Sequence, residues 1–278
     1  MAMCAVDEAY RAHIALGGHP DQAAALDNFC WPDPILSEAC PDGPYKMAQL
    51  VRANQGLRKA CMDYGLPLIS GKDSMKNDAV LDGKKVSIRP TLLISLMGIL
   101  EDRDKAMTTD FLRSGEAIYI LGTTNWALGG SSLEKILGKN LGSGPKVDTQ
   151  QALSYYRKLA HFIQGGQISS IHDLSDGGLG VALAESALGG CLGANISLDN
   201  LPKTEDLSPS AALFSESPSR FLVSIPQNLR SSWEETFGEQ TAYLGETIGT
   251  AEITITLQGA TVVNLTLAAL ESAWKSLR

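Results

Sequence analysis

The sequence predicts a mixed α/β (α+β) protein, and three observations carry that prediction. Short apolar runs such as Ala117-Ile118-Tyr119-Ile120-Leu121 read as buried strands. Tyr45–Tyr64 and Thr149–Gln164 read as helices, the first with Met47, Leu50, Val51, Leu57 and Cys61 at three-to-four spacing. Strands and helices then alternate along the chain, which is the pattern of sheets covered by helices. With 278 residues, 44% hydrophobic and 19% charged, there is material for one large or two medium domains.

Val6–Leu16 is a short helix, ended by Gly17-Gly18-His19-Pro20. Trp31–Pro44 holds four prolines and reads as an irregular loop, with Phe29 and Trp31 as packing residues. Gly65 stops the helix that ends at Tyr64. Pro67-Leu68-Ile69-Ser70 is a short buried strand leading into Gly71-Lys72-Asp73-Ser74, and the Asp82-Gly83 turn separates it from Thr91–Leu100, a strand suited to a sheet centre. A second unit starts near Arg113, with the boundary near residue 112. It holds the strand Ala117–Leu121, a Gly/Ser-rich stretch Gly129–Gly144, the helix Thr149–Gln164 and the strand Ile168–Ile171. Beyond these come the helix Leu179–Leu188, the strands Arg220–Ile225, Ile253–Leu257 and Thr261–Leu265, and a closing helix Leu267–Leu277.

Composition removes several classes of function. Net charge is −8 with no Lys/Arg cluster, which argues against nucleic acid as a partner. No apolar run approaches the ~20 residues that span a bilayer, so no membrane helix is expected. Met1–Glu8 lacks the basic start and apolar stretch of a signal peptide, and the five cysteines form no CxxC pair. A reduced, cytoplasmic protein is the expectation.

Three motifs fail on inspection. Gly71-Lys72-Asp73-Ser74 resembles the end of a phosphate-binding P-loop, but Leu66 stands where its first glycine belongs and Asp73 follows the lysine. Gly189-Gly190-Cys191-Leu192-Gly193 fits the G-x-C-x-G pattern of a thiol nucleophile, yet a helix precedes it and a strand follows, the reverse of a nucleophile elbow. Cys191 is better read as a small residue in a turn. Gly142-Ser143-Gly144-Pro145-Lys146-Val147 breaks G-x-G-x-x-G at its last position, and no histidine pair has zinc-ligand spacing.

The motif that survives is His172-Asp173-Leu174-Ser175-Asp176-Gly177-Gly178-Leu179, between a strand and a helix. Carboxylates at a strand's carboxyl end suit Mg²⁺, which binds one or two of them plus substrate phosphates. The glycines admit a close ligand, and the helix N-terminus favours anions. Equally, Ser175 or Asp176 caps the helix and the glycines only make the turn. Ser217-Pro218-Ser219-Arg220 could hold an anion, but it reads slightly better as a rigid turn.

This motif resembles the signature of the formylglycinamide ribonucleotide amidotransferase (FGAM synthase) family of purine biosynthesis. Three further segments are similar to the same family, in its order: Leu26-Asp27-Asn28-Phe29-Cys30-Trp31, Ile69-Ser70-Gly71-Lys72-Asp73-Ser74-Met75 and Phe214-Ser215-Glu216-Ser217-Pro218-Ser219-Arg220-Phe221. The wider superfamily includes aminoimidazole ribonucleotide (AIR) synthetase, selenophosphate synthetase and a hydrogenase maturation factor, all ATP users.

The resemblance implies an AIR synthetase-like fold, with a truncated N-terminal sheet domain (1–112) and a C-terminal mixed-sheet α/β domain (113–278). The chain looks like the second half of the synthetase core, with Met1 a cut inside a longer parent. The opening strands, the first half with its catalytic histidine, and the glutaminase would then be partners outside it. Lost strands would leave an unpaired sheet edge, open to homodimer formation. The family reaction uses ATP to phosphorylate the amide oxygen of formylglycinamide ribonucleotide (FGAR), and ammonia from glutamine then displaces phosphate.

By resemblance Asp173 and Glu8 would bind Mg²⁺, and Ser175 the ATP or ADP nucleotide. Gly71 would approach a phosphate through its backbone, with Lys72 and Ser74 beside the same ligand; no catalytic residue falls within the chain. Two departures stand out: Ala12 replaces an asparagine ligand of the family, and Lys72 replaces another in one of its branches. The resemblance leaves two further readings open. One is a structural, pseudo-symmetric module around an auxiliary nucleotide. The other is a selenophosphate-synthetase or hydrogenase-maturation type, for which no terminal cysteine motif is found.

Overall fold

The computed structural model describes residues 1–276, so Leu277, expected in the closing helix, lies outside the described residues. The first unit opens with α1 (Ala2–Ala15), longer than expected because Ala2 continues the buried stripe of Val6, Tyr10 and Ile14. There follow β1 (Ala23–Cys30), α2 (Gly43–Tyr64), β2 (Leu68–Ser74), β3 (Asp78–Leu81), β4 (Lys84–Ser87) and β5 (Thr91–Gly98). Gly65 ends α2 at φ +66°, a left-handed conformation that glycine adopts without cost. Asp82 and Gly83, both at positive φ, turn the β3–β4 hairpin.

The three-stranded sheet runs β2-β1-β5, with β1 parallel to β2 and antiparallel to β5. This corrects two expectations. Thr91–Leu100 was suited to a sheet centre, yet β5 lies at an edge and β1 takes the middle. β5 is apolar on both faces, but only Leu92, Ile94 and Leu96 turn toward the core, while Leu93 and Met97 are exposed. Pro67–Ser70, expected as a short buried strand, is exposed instead: Pro67 precedes β2, and Leu68–Ser70 begin it before it runs on through Gly71-Lys72-Asp73-Ser74.

The second unit contains β6 (Ala117–Leu121), α3 (Ser132–Leu137), α4 (Thr149–Gln164), β7 (Ser170–Asp173), α5 (Gly178–Gly190), β8 (Gly193–Ser197), α6 (Pro209–Phe214) and β9 (Phe221–Ile225). It closes with α7 (Arg230–Phe237), β10 (Thr241–Ile248), β11 (Glu252–Leu257), β12 (Ala260–Thr266) and α8 (Leu267–Ser276). Its seven-stranded sheet has the order β12-β11-β8-β10-β6-β9-β7.

Successive residues of a strand point to opposite faces, and in β6 both faces are covered. Ala117, Tyr119 and Leu121 join one core with α1, α2 and α4, whereas Ile118 and Ile120 join a second with α5 and β8. The first core is continuous across both units: Tyr10 of α1 stacks on Tyr64 of α2 at 4.7 Å and on Tyr156 of α4 at 5.9 Å. Phe29 and Trp31 are packing residues within it, as expected. That shared core seats α1 beside the carboxyl end of β7. No helix among the described residues is long and apolar enough to cross a membrane.

Candidate functional site

The site grows from a charged pair inside an apolar stripe. Asp7 and Arg11, one turn apart on α1, are 0% and 3% exposed. Asp7 Oδ1 accepts hydrogen bonds from Tyr64 Oη (2.6 Å), Tyr156 Oη (2.7 Å) and Ser219 Oγ (2.9 Å). Its Oδ2 accepts from Ser219 N (3.0 Å) and Arg11 Nη1 (2.5 Å), so the carboxylate is fully partnered. Burial, then the Asp7 charge, drives the Tyr64 and Tyr156 hydroxyls far above their ordinary pKa and keeps them as donors.

Arg11 reaches the end of β7. Its Nη2 donates to Ser175 Oγ at 3.1 Å, and its Nε stands 3.7 Å from Asp173 Oδ2 without a hydrogen bond. Ser175 Oγ in turn donates to Asp173 Oδ2 at 3.1 Å. Next door, His172 Nε2 lies 2.8 Å from Glu185 Oε2 on α5, and its Nδ1 lies 2.8 Å from the Asp173 carbonyl. Burial pulls the imidazole pKa down, but the Glu185 hydrogen bond and the Asp173 and Glu185 charges outweigh it and raise it above 6.5.

Neither Ser175 nor Asp176 caps α5, contrary to the capping role the sequence allowed them. Gly177, at φ +77°, holds the cap position, and its N–H donates to Glu216 Oε1 at 2.9 Å. The same oxygen accepts from Ser132 N at 2.8 Å, so Glu216 joins the start of α3 to the start of α5. A carboxylate of the chain itself thus meets the positive end of α5.

A cleft of about 610 Å³ lies over these groups, walled by Glu8, Arg11, Ser175, Asp176 and Glu216 and by the backbone of Gly129 and Gly130. The Glu8 carboxyl is pushed up by burial; Arg11 pulls it down, while Asp176, Asp173 and Asp7 push it up again, and the net shift is upward. The structure therefore brings Glu8, Asp173 and Ser175 to one place.

Gly71, Lys72 and Ser74 are elsewhere, on β2, and do not line this cleft. A Cβ on Gly71 would press on the Asp27 carboxylate and carbonyl of neighbouring β1, which accounts for the glycine without a ligand. Lys72 is exposed, and Ser74 is half-buried, its carbonyl accepting from Trp31 N at 2.8 Å.

Ser217–Arg220 is the rigid turn. Ser219 sits at φ +60°, and the fully buried Arg220 donates to Ser217 O (2.9 Å), Ser215 O (2.6 Å) and Thr124 Oγ1 (3.0 Å). Its guanidinium is spent on the loop. Cys191 is the left-handed cap residue of α5, as its place in a turn foretold.

Magnesium, implied through Asp173 and Glu8, does not fit the residues as folded. Among the described residues no three His, Cys, Asp or Glu side chains gather into a metal-binding group. Ala12 offers no oxygen. Asp173 Oδ2 already faces Arg11 and Ser175, and Mg²⁺ at its usual ~2.1 Å from that oxygen would crowd a buried guanidinium of like charge.

Sequence reasoning missed Arg11, Asp7 and Glu216. For the first two a signal existed: opposite charges four apart, set within the stripe of Val6, Tyr10 and Ile14. Glu216 was inside a quoted segment, but its partners lie 39 and 84 residues away.

Several solved structures share this fold. Thermotoga maritima PurL, solved in complex with FGAR, superposes with a TM-score of 0.74 at 20% identity, over 97% of this chain and 42% of PurL. PurL from the same organism with ATP gives a TM-score of 0.69 at 19% identity, over 97% of this chain and 40% of PurL. Escherichia coli HypE, a hydrogenase maturation protein, gives 0.67 at 16% identity, over 96% of this chain and 79% of HypE. The chain thus spans less than half the length of the PurL chains it matches. In sequence, the family described as AIR synthase related protein, C-terminal domain, matches residues 113–258, more than half of the chain, and the chain belongs to that family.

Proposed function

We propose that this chain is the second synthetase half of an FGAM synthase-type ligase, and that the cleft between α1 and α5 receives the phosphates of an adenine nucleotide. The observation that carries this reading is the convergence of Arg11 and Ser175 at the carboxyl end of β7, where α/β sheets take their ligands. T. maritima PurL, of like fold, was solved with ATP, ADP and FGAR, which supports the choice of ligand.

In this reading ATP activates the FGAR amide oxygen in the parent enzyme and ammonia displaces the phosphate. This chain binds and orients: Ser175 Oγ and the Arg11 guanidinium contact phosphate oxygens, and the Gly129-Gly130 backbone lies alongside. The β1–β2 and β1–β5 registers put Lys72 and Ser74 in the same rows as Leu93 and Thr91 of β5. From there, with Gly71 beside them, they can meet a ligand held against the other synthetase half. That half and a glutaminase are the expected partners, a second copy of the chain can cover the same face, and the compartment is the cytoplasm.

Calorimetry with ADP tests the reading. The wild type binds, and Ser175→Ala weakens binding about tenfold, as expected for one lost hydrogen bond. Equal affinities remove Ser175 from the site. A second reading, a free-standing protein of the HypE type, draws on the coverage of 79% of that chain against 42% of PurL. Titration with FGAR separates them: the ligase half binds it, and a HypE-type protein binds ADP alone.

A further inference from the structure

The cleft contains a cation that belongs to the protein. Arg11 spans the gap between α1 and the end of β7, with Nη1 on Asp7, Nη2 on Ser175 and Nε beside Asp173. It is 3% exposed, so the guanidinium cannot swing out to solvent without opening the core. Four further hydrogen bonds, from Tyr64, Tyr156 and Ser219, hold Asp7, so the anchor behind Arg11 is fixed as well.

We infer that Arg11 is the resident cation of this site, taking the place beside Asp173 and Ser175 where a divalent ion would otherwise stand. Asp173 is then a positioning residue for Arg11 and Ser175 and not a metal ligand. Without the guanidinium, Asp173 and Glu8 would stand near the buried Asp7 carboxylate with no cation among them. With it, one permanent charge neutralises part of that field and needs no metal. The buried Nε–H, left without a hydrogen bond, is a donor in reserve for a ligand oxygen. This last point rests on the nucleotide reading; the cation assignment does not.

Manganese, read by electron paramagnetic resonance on the whole chain, decides the assignment without any nucleotide. The wild type and Asp173→Asn take up Mn²⁺ alike, with no saturable site that depends on Asp173. A saturable site lost in Asp173→Asn overturns the inference. Arg11→Ala gives the converse: with no guanidinium beside it, Asp173 becomes open to a divalent ion, so Mg²⁺ raises the melting temperature of the variant and leaves the wild type unchanged. An equal response of the two folded proteins counts against the inference; should Arg11→Ala not fold, the Asp173→Asn comparison stands alone. ADP titrated in EDTA and in Mg²⁺ completes the set, with affinities expected within about threefold of each other. Binding only with Mg²⁺ overturns the inference, whereas binding in neither buffer refutes the nucleotide reading and leaves the manganese result to judge Arg11.

Discussion

In the seven-stranded sheet every residue of β6 and β9 is buried, whereas six of the seven residues of β2 are exposed in the three-stranded sheet. Both sheets contain apolar strands, β6 and β9 in the larger and β5 in the smaller, while β2 is polar beyond Ile69. They differ in what lies against them: the larger sheet has a core on each face, and the smaller one packs α1 and α2 on one face only. On its other face Leu93 and Met97 are each 59% exposed. Leu93 and Met97 lie on the same side of β5, and Leu93 shares its row with the polar Asn28 and Lys72, so this face mixes apolar and polar side chains.

The largest effect that can break this comparison is in the cores. Ile120→Ala in β6 opens a cavity in a fully buried layer and is expected to cost about 2–5 kcal/mol. Leu93→Ala in β5 removes a mostly exposed side chain and should stay within about 0.5 kcal/mol. Urea unfolding measures both. Comparable costs would mean that the outer face of the small sheet is already covered in solution.

That possibility leads to a second experiment, aimed at association instead of stability. Leu93→Lys with Met97→Lys places two charges on the uncovered face while leaving Leu92, Ile94 and Leu96 in the core. If the face pairs with a second copy, the wild type shows a dimer mass by light scattering and the double variant a monomer mass, with unfolding of the monomer unchanged. A concentration-independent monomer mass for the wild type would assign the face to a different partner.

How much of this was legible in the sequence follows the same division. Ala117–Leu121 and Thr149–Gln164 were read correctly because burial on both faces, or a steady three-to-four spacing, leaves a local pattern. β1 left none: Ala-Ala-Ala-Leu-Asp-Asn-Phe-Cys is poor in strand-forming residues, and it is a strand because β2 and β5 pair with it on both sides. β10 was missed because its register shifts between Tyr243 and Gly245, which breaks the alternation. At the site, Asp173 and Ser175 stood in a contiguous motif. Their partner Arg11 is 164 residues from Ser175, and no local spacing reports a contact of that range.

The smallest expected effect concerns the edges of the two sheets. β7 ends the larger sheet, and His172 ties it to α5 through Glu185, whereas β2 ends the smaller one with most of its side chains exposed. Because the His172 pKa is raised in the folded protein, the folded state binds its proton more tightly than the unfolded chain does. The stabilisation is therefore fully present below the unfolded value, near pH ~6.5, and is lost as pH rises through the folded pKa. Glu185→Gln removes the charge that holds that proton. The difference in melting temperature between wild type and Glu185→Gln should be greatest in mildly acidic buffer and shrink steadily toward alkaline pH. A difference independent of pH would mean that the Glu185 contact acts through neutral hydrogen bonding alone, and that the edge of the larger sheet is held by packing in the same way as its centre.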